Sequence, residues 1–177
     1  MNTLLHKRVV VTGLGAVSSI GTGAVEFTEG LRTGRSGVSP ITAFDTTGYA
    51  HTNGCQVPEF EPERWLRRLS VPQWGRASQY AAAAGRMAMA DAGLTEQDLS
   101  GARCQVCVGT TDGESHDLGQ LTAVTVEHGP QAMEPLRTRR IPSSRLSMAV
   151  ACDEHFDPLR ISRGHSRRDA RGLARIG

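Results

Sequence analysis

Cys152 is the residue whose type and position first suggest covalent chemistry in this chain. A catalytic cysteine needs a lowered pKa, a partner histidine, and a helix N-terminus or sharp turn that aims it. Cys152 instead lies late in a predicted helix and precedes Asp153 and Glu154, whose charges would raise the pKa of a thiol. His155 is adjacent, but neighbouring side chains on a helix project about 100° apart. The sequence therefore predicts that Cys152 is not a nucleophile.

A second pair of thiols, Cys104 and Cys107, has the C-x-x-C spacing of zinc and dithiol redox sites. The pair falls inside an apolar stretch that favours a strand, where residues three apart point to opposite faces. Neither a second pair nor a histidine at ligand spacing accompanies it. We interpret both as small core residues, and Cys55 also matches no nucleophile motif. Without a secretory context, all of these thiols are expected to be reduced.

His116 lies among three carboxylates, Asp112, Glu114 and Asp117, and could belong to an acid–base or metal site. A polar loop that leads into a solvated helix start explains the same residues, because carboxylates favour helix N-termini. We prefer the second interpretation, so the sequence predicts no metal site here.

The glycine-rich stretch GLGAVSSIG, residues 13–21, raises the possibility of a nucleotide-binding oxidoreductase. The dinucleotide fingerprint G-x-G-x-x-G needs glycine at its sixth position, and Ser18 stands there. No acidic residue closes a following strand at the usual distance. We therefore expect a plain glycine turn between a strand and a helix, with no cofactor.

Two buried strands and four helices are expected to position these residues. The strands are KRVVVTGLG from Lys7 and RCQVCVGTTDG from Arg103. The helices are GTGAVEFTEGLRTG, QWGRASQYAAAAGRMAMADAGL, ESHDLGQLTAVTVEHGP and IPSSRLSMAVACDEHF.

The same patterns predict how the helices begin, end and pack. Thr22 and either Ser143 or Ser144 are expected as N-caps, Pro142 in a first turn, and Gly34, Gly93 and Gly129 at helix ends. In the first helix Ala24, Phe27, Thr28 and Leu31 lie at helical spacing. The expected buried positions are Ala77, Tyr80, Ala81, Ala84, Met87 and Ala88 in the second helix, and Leu146, Ala149 and Val150 in the last.

The composition suits one globular domain. The chain has 177 residues, 38% of them hydrophobic, with 20 glycines, which is typical of a turn-rich α/β protein. A net charge of +2 is too small to indicate nucleic-acid binding. The sequence shows no signal-peptide or membrane segment, so a cytoplasmic location is expected. Residues 152–177 form a basic tail without periodicity or interleaved aromatics, which we expect to be disordered and to bind no nucleic acid.

Five segments taken in order resemble the β-ketoacyl-acyl-carrier-protein synthases, the KAS II-like condensing enzymes of the thiolase superfamily. They are RVVVTGLGAVSSIGTGAVEFTEGLRTGRSGV, ITAFDTTGY, ASQYAAAAGRMAMADAGL, CVGTTDG and IPSSRLSMAVA. Order and spacing agree from about Arg8 to about Ala151. The resemblance implies an α/β fold, the N-terminal half of a thiolase-like layered α/β/α/β/α sandwich, with an incomplete synthase domain over residues 1–151.

The implied chemistry is a decarboxylative Claisen condensation in fatty acid or polyketide biosynthesis. In that family a cysteine takes an acyl group from a carrier-protein thioester, and two histidines help to decarboxylate a malonyl thioester. The implied partners are acyl carrier protein and either a second copy or an active ketosynthase; no membrane or nucleic acid is implied.

This sequence departs from the family after Ala151. The T-A-C-[SA]-x-G elbow that carries the family's nucleophile is missing, as are the segments with the catalytic histidines. No catalytic, cofactor-binding or metal-binding residue is therefore assigned to any position. We expect a fragment that stops before the catalytic cysteine and is inactive alone, and an out-of-frame reading of a GC-rich gene would explain it. The alternative is a non-catalytic partner similar to a chain-length factor.

Overall fold

The computed structural model describes residues 8–100 and 104–154, and within these ranges it combines helices with short antiparallel strand pairs. The helices are Ala24–Arg32 (α1), Arg76–Asp91 (α2), Glu96–Ser100 (α3), Ser115–His128 (α4), Pro135–Thr138 (α5) and Ser144–Asp153 (α6). The strands are Val17–Ser18 (β1), Gly21–Thr22 (β2), Ser39–Pro40 (β3) and Asn53–Gly54 (β4); β1 pairs with β2, and β3 with β4. Single 3₁₀ turns cover Pro62–Arg64, Val71–Gln73 and Pro130–Ala132.

Glycine ends the helices where the sequence predicts it. Gly34 after α1 and Gly93 after α2 have φ angles of 64° and 66°, which favour a residue without Cβ. After α2, the Gly93 N–H donates to the Ala90 carbonyl at 3.1 Å and the Leu94 N–H donates to the Met89 carbonyl at 3.0 Å. These two bonds form a Schellman motif, which satisfies carbonyls that the helix leaves open. The local stop signals of the sequence are confirmed.

The predicted helix starts are only partly correct. Gly23, and not Thr22, is the N-cap of α1, and the Thr22 N–H donates to the carboxylate of Glu26 at 2.9 Å. Ser143 caps α6 but makes no side-chain hydrogen bond, and Pro142 lies one position before the cap instead of in the first turn. Glu26 in the first turn of α1 therefore satisfies a backbone donor just before the helix, whereas a threonine N-cap would have accepted one from within it.

The two predicted buried strands are wrong for the described residues. Val9, Val10 and Val11 are 92%, 67% and 80% exposed, and residues 104–108 alternate between half-buried and exposed. In the described part of the chain neither segment belongs to a sheet. A β-branched run is buried only when neighbouring strands and an overlying layer cover it, so its composition alone did not decide its burial.

The segment that follows Val11 packs on α2 through glycine. A Cβ on Gly13 would collide with the Ala88 carbonyl, and one on Gly15 with the Ala84 carbonyl. The Leu14 N–H adds a 2.9 Å hydrogen bond to Asp91. The glycines of the GLG sequence thus allow backbone to lie directly against a helix of small residues.

The core lies where α2 packs against α6. Leu66, Trp74, Ala82 and Ala149 form its buried cluster, with Leu69 and Val71 at its edge. A Cβ on Gly85 of α2 would lie 2.9 Å from Val150 of α6, so the two helices approach closely. The predicted core positions of α6, Leu146, Ala149 and Val150, are all buried.

The predicted inner face of α2 is wrong in part. Met87 is buried as expected, but the other predicted positions are half-buried, and the remaining buried residues of α2 are Ser78, Ala82, Ala83 and Arg86. Two different segments cover α2: residues 13–15 lie over the predicted face and α6 lies over the other. In α1 only Gly30 is buried, while Thr28 and Leu31 are exposed.

Candidate functional site

Cys152 lies in the last turn of α6, as the sequence predicts, and it is half-buried. The two carboxylates that follow it are buried, with Asp153 0% and Glu154 3% exposed. Helix α6 thus continues past the predicted domain boundary at residue 151. Because residues 155–177 lie outside the described ranges, the boundary and the disordered tail stay predictions.

A buried ion cluster holds this end of α6 on α2. Arg86 of α2 donates from Nε to Glu154 Oε1 at 2.6 Å. Its Nη2 donates to the Asp153 carboxylate at 3.1 Å and to the Asp153 carbonyl at 3.2 Å. Arg86 itself is 9% exposed. We call Arg86, Asp153 and Glu154 the Arg86 cluster.

Asp153 has further partners in the chain before α2. Its Oδ1 accepts hydrogen bonds from the backbone N–H groups of Arg67, Arg68 and Leu69 at 3.0, 2.9 and 3.3 Å. One carboxylate oxygen therefore fixes the 67–69 segment, while the other is bonded to Arg86. A carboxylate that accepts several N–H groups and a guanidinium is well compensated for the loss of water.

Glu154 is less well compensated. Burial raises the pKa of Glu154 above its ordinary value, and the bond and charge of Arg86 oppose that rise. The negative charges of Asp153 and Glu96 add to the rise. Cys152 directly precedes these two carboxylates at the carboxyl end of α6, where a thiolate would add a further negative charge.

Arg86 was not singled out from the sequence. The signal was an arginine inside the run AAAAGRMAMA, where every neighbour is small or apolar. A guanidinium in such a run needs a buried anion, but the sequence does not say which carboxylate supplies it. The sequence predicts only a local influence of Asp153 and Glu154 on the thiol, whereas in the structure both carboxylates pair with Arg86 of α2.

The residues around His116 do not converge on a site. His116 is exposed and bonds to Gln120 at 2.8 Å, and Asp112 is exposed. Glu114 and Asp117 are buried, so the predicted solvated helix start is wrong for these two. No group of three or more His, Cys, Asp or Glu side chains within the described ranges is placed to hold a metal ion.

Glu114 instead caps helix α2 from a distance. Its carboxylate accepts the backbone N–H groups of Ala77 at 3.0 Å and Ser78 at 2.8 Å, and the Ser78 hydroxyl at 2.6 Å. These donors lie in the first turn of α2, where a negative charge is favourable. Gly75 leaves room for the carboxylate, because a Cβ there would collide with Glu114.

A basic cleft of about 390 Å³ opens beside the start of α2. Arg76, Arg137 and Arg140 line it together with His116 and Asp117, and we call these five residues the basic cleft. Its three arginines already have partners: Arg140 pairs with Asp117 at 3.2 Å and bonds the Pro72 carbonyl, Arg137 pairs with Glu134 at 2.9 Å, and Arg76 bonds to Tyr80.

The other candidate residues do not form a site either. All four cysteines are unpaired; Cys104 is half-buried, but Cys55 and Cys107 are exposed, so Cys107 is not the core residue expected. The glycine-rich stretch forms the β1–β2 hairpin, where the Ser18 hydroxyl donates to the Gly21 carbonyl at 2.9 Å, and not a simple strand-to-helix turn. Among the described residues, no helix has both the length and the apolar character needed to cross a bilayer.

Comparison with known proteins finds similarity along most of the chain. The family model described as "Beta-ketoacyl synthase, N-terminal domain" matches residues 6–153. The 3-oxoacyl-[acyl-carrier-protein] synthase 2 of Synechocystis is 34% identical over 135 residues, which cover 76% of this chain and 32% of the relative. The tetracenomycin polyketide synthase ketoacyl synthase beta subunit of Streptomyces glaucescens is 42% identical over 131 residues, which cover 72% and 29%.

Solved structures give the same result. The ishigamide ketosynthase/chain length factor superposes with a TM-score of 0.78 at 52% identity, over 81% of this chain and 36% of that chain. A β-ketoacyl synthase from Burkholderia phymatum gives a TM-score of 0.67 at 26% identity, over 82% and 36%. The chain thus spans about a third of the length of the proteins it matches.

Proposed function

Because this chain belongs to the β-ketoacyl synthase family, we propose that it forms the N-terminal part of a condensing-enzyme scaffold. The family match over residues 6–153 is the observation that carries the proposal. The sequence predicted the β-ketoacyl synthase family and an α/β, thiolase-like fold. The family match and the solved ketosynthases that superpose on the chain confirm both predictions. The proposed reaction of the whole protein is the decarboxylative Claisen condensation of acyl and malonyl thioesters.

We further propose that this chain supplies scaffold without a nucleophile. The condensation begins when a thiolate attacks an acyl thioester, so it needs a cysteine whose deprotonated form is stabilised. Cys152 lies at the carboxyl end of α6, next to two buried carboxylates. Cys152 thus lies at the negative end of the helix dipole, whereas nucleophilic cysteines are favoured at the opposite, positive end.

The test is an acyl-transfer and condensation assay on the purified 177-residue chain. Incubation with acyl- and malonyl-carrier protein should give no β-ketoacyl product. A thioester probe should label Cys152 no faster than a free thiol in solution, and Cys152→Ala provides the control for the labelled position. A β-ketoacyl product, or fast acylation that Cys152→Ala abolishes, would contradict the proposal.

The proposed partner is an acyl carrier protein. The names of several relatives include that protein, and a solved ketosynthase that shares this fold is a complex with its acyl-carrier protein. Within the basic cleft the described partner of Arg76 is the neutral Tyr80 hydroxyl, so the charge of Arg76 matches an acidic or phosphate-bearing partner. Arg76→Glu combined with Arg137→Glu should weaken binding of a carrier protein, whereas Arg32→Glu on α1 should not. Equal binding by both variants would argue against the cleft.

A second candidate function is that of a non-catalytic partner of an active ketosynthase. It is favoured by the identities of 52% with the ishigamide ketosynthase/chain length factor and 42% with the tetracenomycin beta subunit, against 34% and 30% with the 3-oxoacyl-[acyl-carrier-protein] synthases 2 of Synechocystis and Coxiella burnetii. Co-expression with a polyketide ketosynthase tests it. A stable heterodimer after size-exclusion chromatography would support this function, and separate elution would count against it.

A further inference from the structure

The Arg86 cluster contains one more negative charge than positive. Two carboxylates, both almost fully buried, share a single guanidinium whose side chain is 11% exposed. Interior charges without a full partner are costly, and one of two neighbouring carboxylates tends to take up a proton. The geometry therefore raises the question of which carboxylate does so.

The hydrogen bonds distinguish the two carboxylates. Asp153 is bonded to Arg86 Nη2 and to the backbone N–H groups of residues 67–69, all of which favour its charged form. The one hydrogen bond described for the Glu154 carboxylate comes from Arg86 Nε. Fewer described donors face Glu154 than Asp153, so Glu154 is the group that accepts the proton.

We propose that Glu154 is a one-proton switch that sets how tightly the carboxyl end of α6 is held against α2 and the 67–69 segment. Protonation removes the repulsion between Glu154 and Asp153 and leaves Asp153 the guanidinium as its counter-charge. Loss of the proton restores two buried anions on one cation and loosens the contact.

Three described charges face Glu154, and the two negative ones favour its protonated form. They are Arg86 from α2, Asp153 from α6, and Glu96 from α3, which itself pairs with Arg68 at 2.9 Å. The pKa of Glu154 is raised in the folded chain, chiefly by burial. A group with a raised folded pKa contributes stability that is present below its unfolded pKa and is lost as the pH rises through the folded value. The contact is thus tightest at mildly acidic pH.

Amide hydrogen exchange on the full chain tests the switch, because the amides of residues 67–69 are bonded to Asp153. After correction for intrinsic rates, their protection should fall as the pH rises above 4.5, the ordinary pKa of a glutamate, by at most about tenfold per pH unit, and then level off. Glu154→Gln should keep high protection without this pH dependence. Glu29→Gln, a change at an exposed carboxylate of α1, should behave like the wild type.

Three results would overturn the proposal. The first is the same pH dependence in the wild type and in Glu154→Gln. The second is a parallel change in the amides of α4, which would make the effect global instead of local. The third is a carboxyl titration of Glu154, followed by NMR in the wild-type chain, with a midpoint at or below the ordinary value. That titration needs no variant, so the proposal stays testable if a substitution fails to fold.

Discussion

Replacement of Asp153 by alanine is the most direct test of the contacts that hold α6 in place. Asp153 is fully buried and bonds to Arg86 and to three backbone N–H groups. The variant leaves the buried guanidinium with Glu154 as its remaining carboxylate and leaves the 67–69 donors without an acceptor. A buried donor that loses its acceptor costs about 1–3 kcal/mol, and here three backbone N–H groups and one guanidinium N–H lose theirs.

We therefore expect Asp153→Ala to lower the free energy of unfolding by about 4 kcal/mol. For a chain of this size each kcal/mol lowers the Tm by about 2–4 °C, so the midpoint should fall by about 8–16 °C. The measurement is urea unfolding followed by circular dichroism, together with thermal unfolding at the same pH. The loss should exceed that of an ordinary surface change by severalfold.

The matched control is Glu29→Ala, which removes an exposed carboxylate that pairs with Arg32 at 3.5 Å. Exposed pairs contribute about 0–1 kcal/mol, so this variant should unfold almost like the wild type. A loss below about 1 kcal/mol for Asp153→Ala would refute the reasoning, because it would mean that the carboxylate is not the buried anchor described. A loss of similar size in both variants would refute it equally.

The remaining predictions concern glycines, a cap and the thiol. Gly15→Ala should destabilise the chain by about 1–3 kcal/mol in urea unfolding, because its Cβ would collide with the Ala84 carbonyl. Gly119→Ala, in the open middle of α4, should stabilise the chain by about 0.5–1 kcal/mol. A stabilising Gly15→Ala together with a destabilising Gly119→Ala would contradict the packing described. Glu114→Ala should cost about 1–2 kcal/mol and lower the exchange protection at the start of α2, and unchanged protection of Ala77 would argue against the distant cap. Cys152→Ser should leave carrier-protein binding unchanged, and a loss of binding would indicate a role for the thiol.

The sequence was sufficient for features that depend on neighbouring residues. A glycine just past a helix end is needed because the backbone there has positive φ, which is a local requirement, and Gly34 and Gly93 both meet it. The apolar spacing of α6 identified Leu146, Ala149 and Val150 as buried. The order of motifs likewise identified the family, since it is a property of the sequence itself.

Features that depend on distant segments were decided by the tertiary structure. Val9–Val11 have the composition of a buried strand and are exposed, because burial depends on what covers a strand. Glu114 was interpreted as a solvated residue at its own helix start, yet it caps α2. The partner of a buried charge is fixed by packing and not by sequence distance, so the pairing of Arg86 with Asp153 and Glu154 had no local signal. Local dihedral preferences and periodicity thus determined the helices, and the order of motifs determined the family, whereas burial and electrostatic pairing required the folded chain.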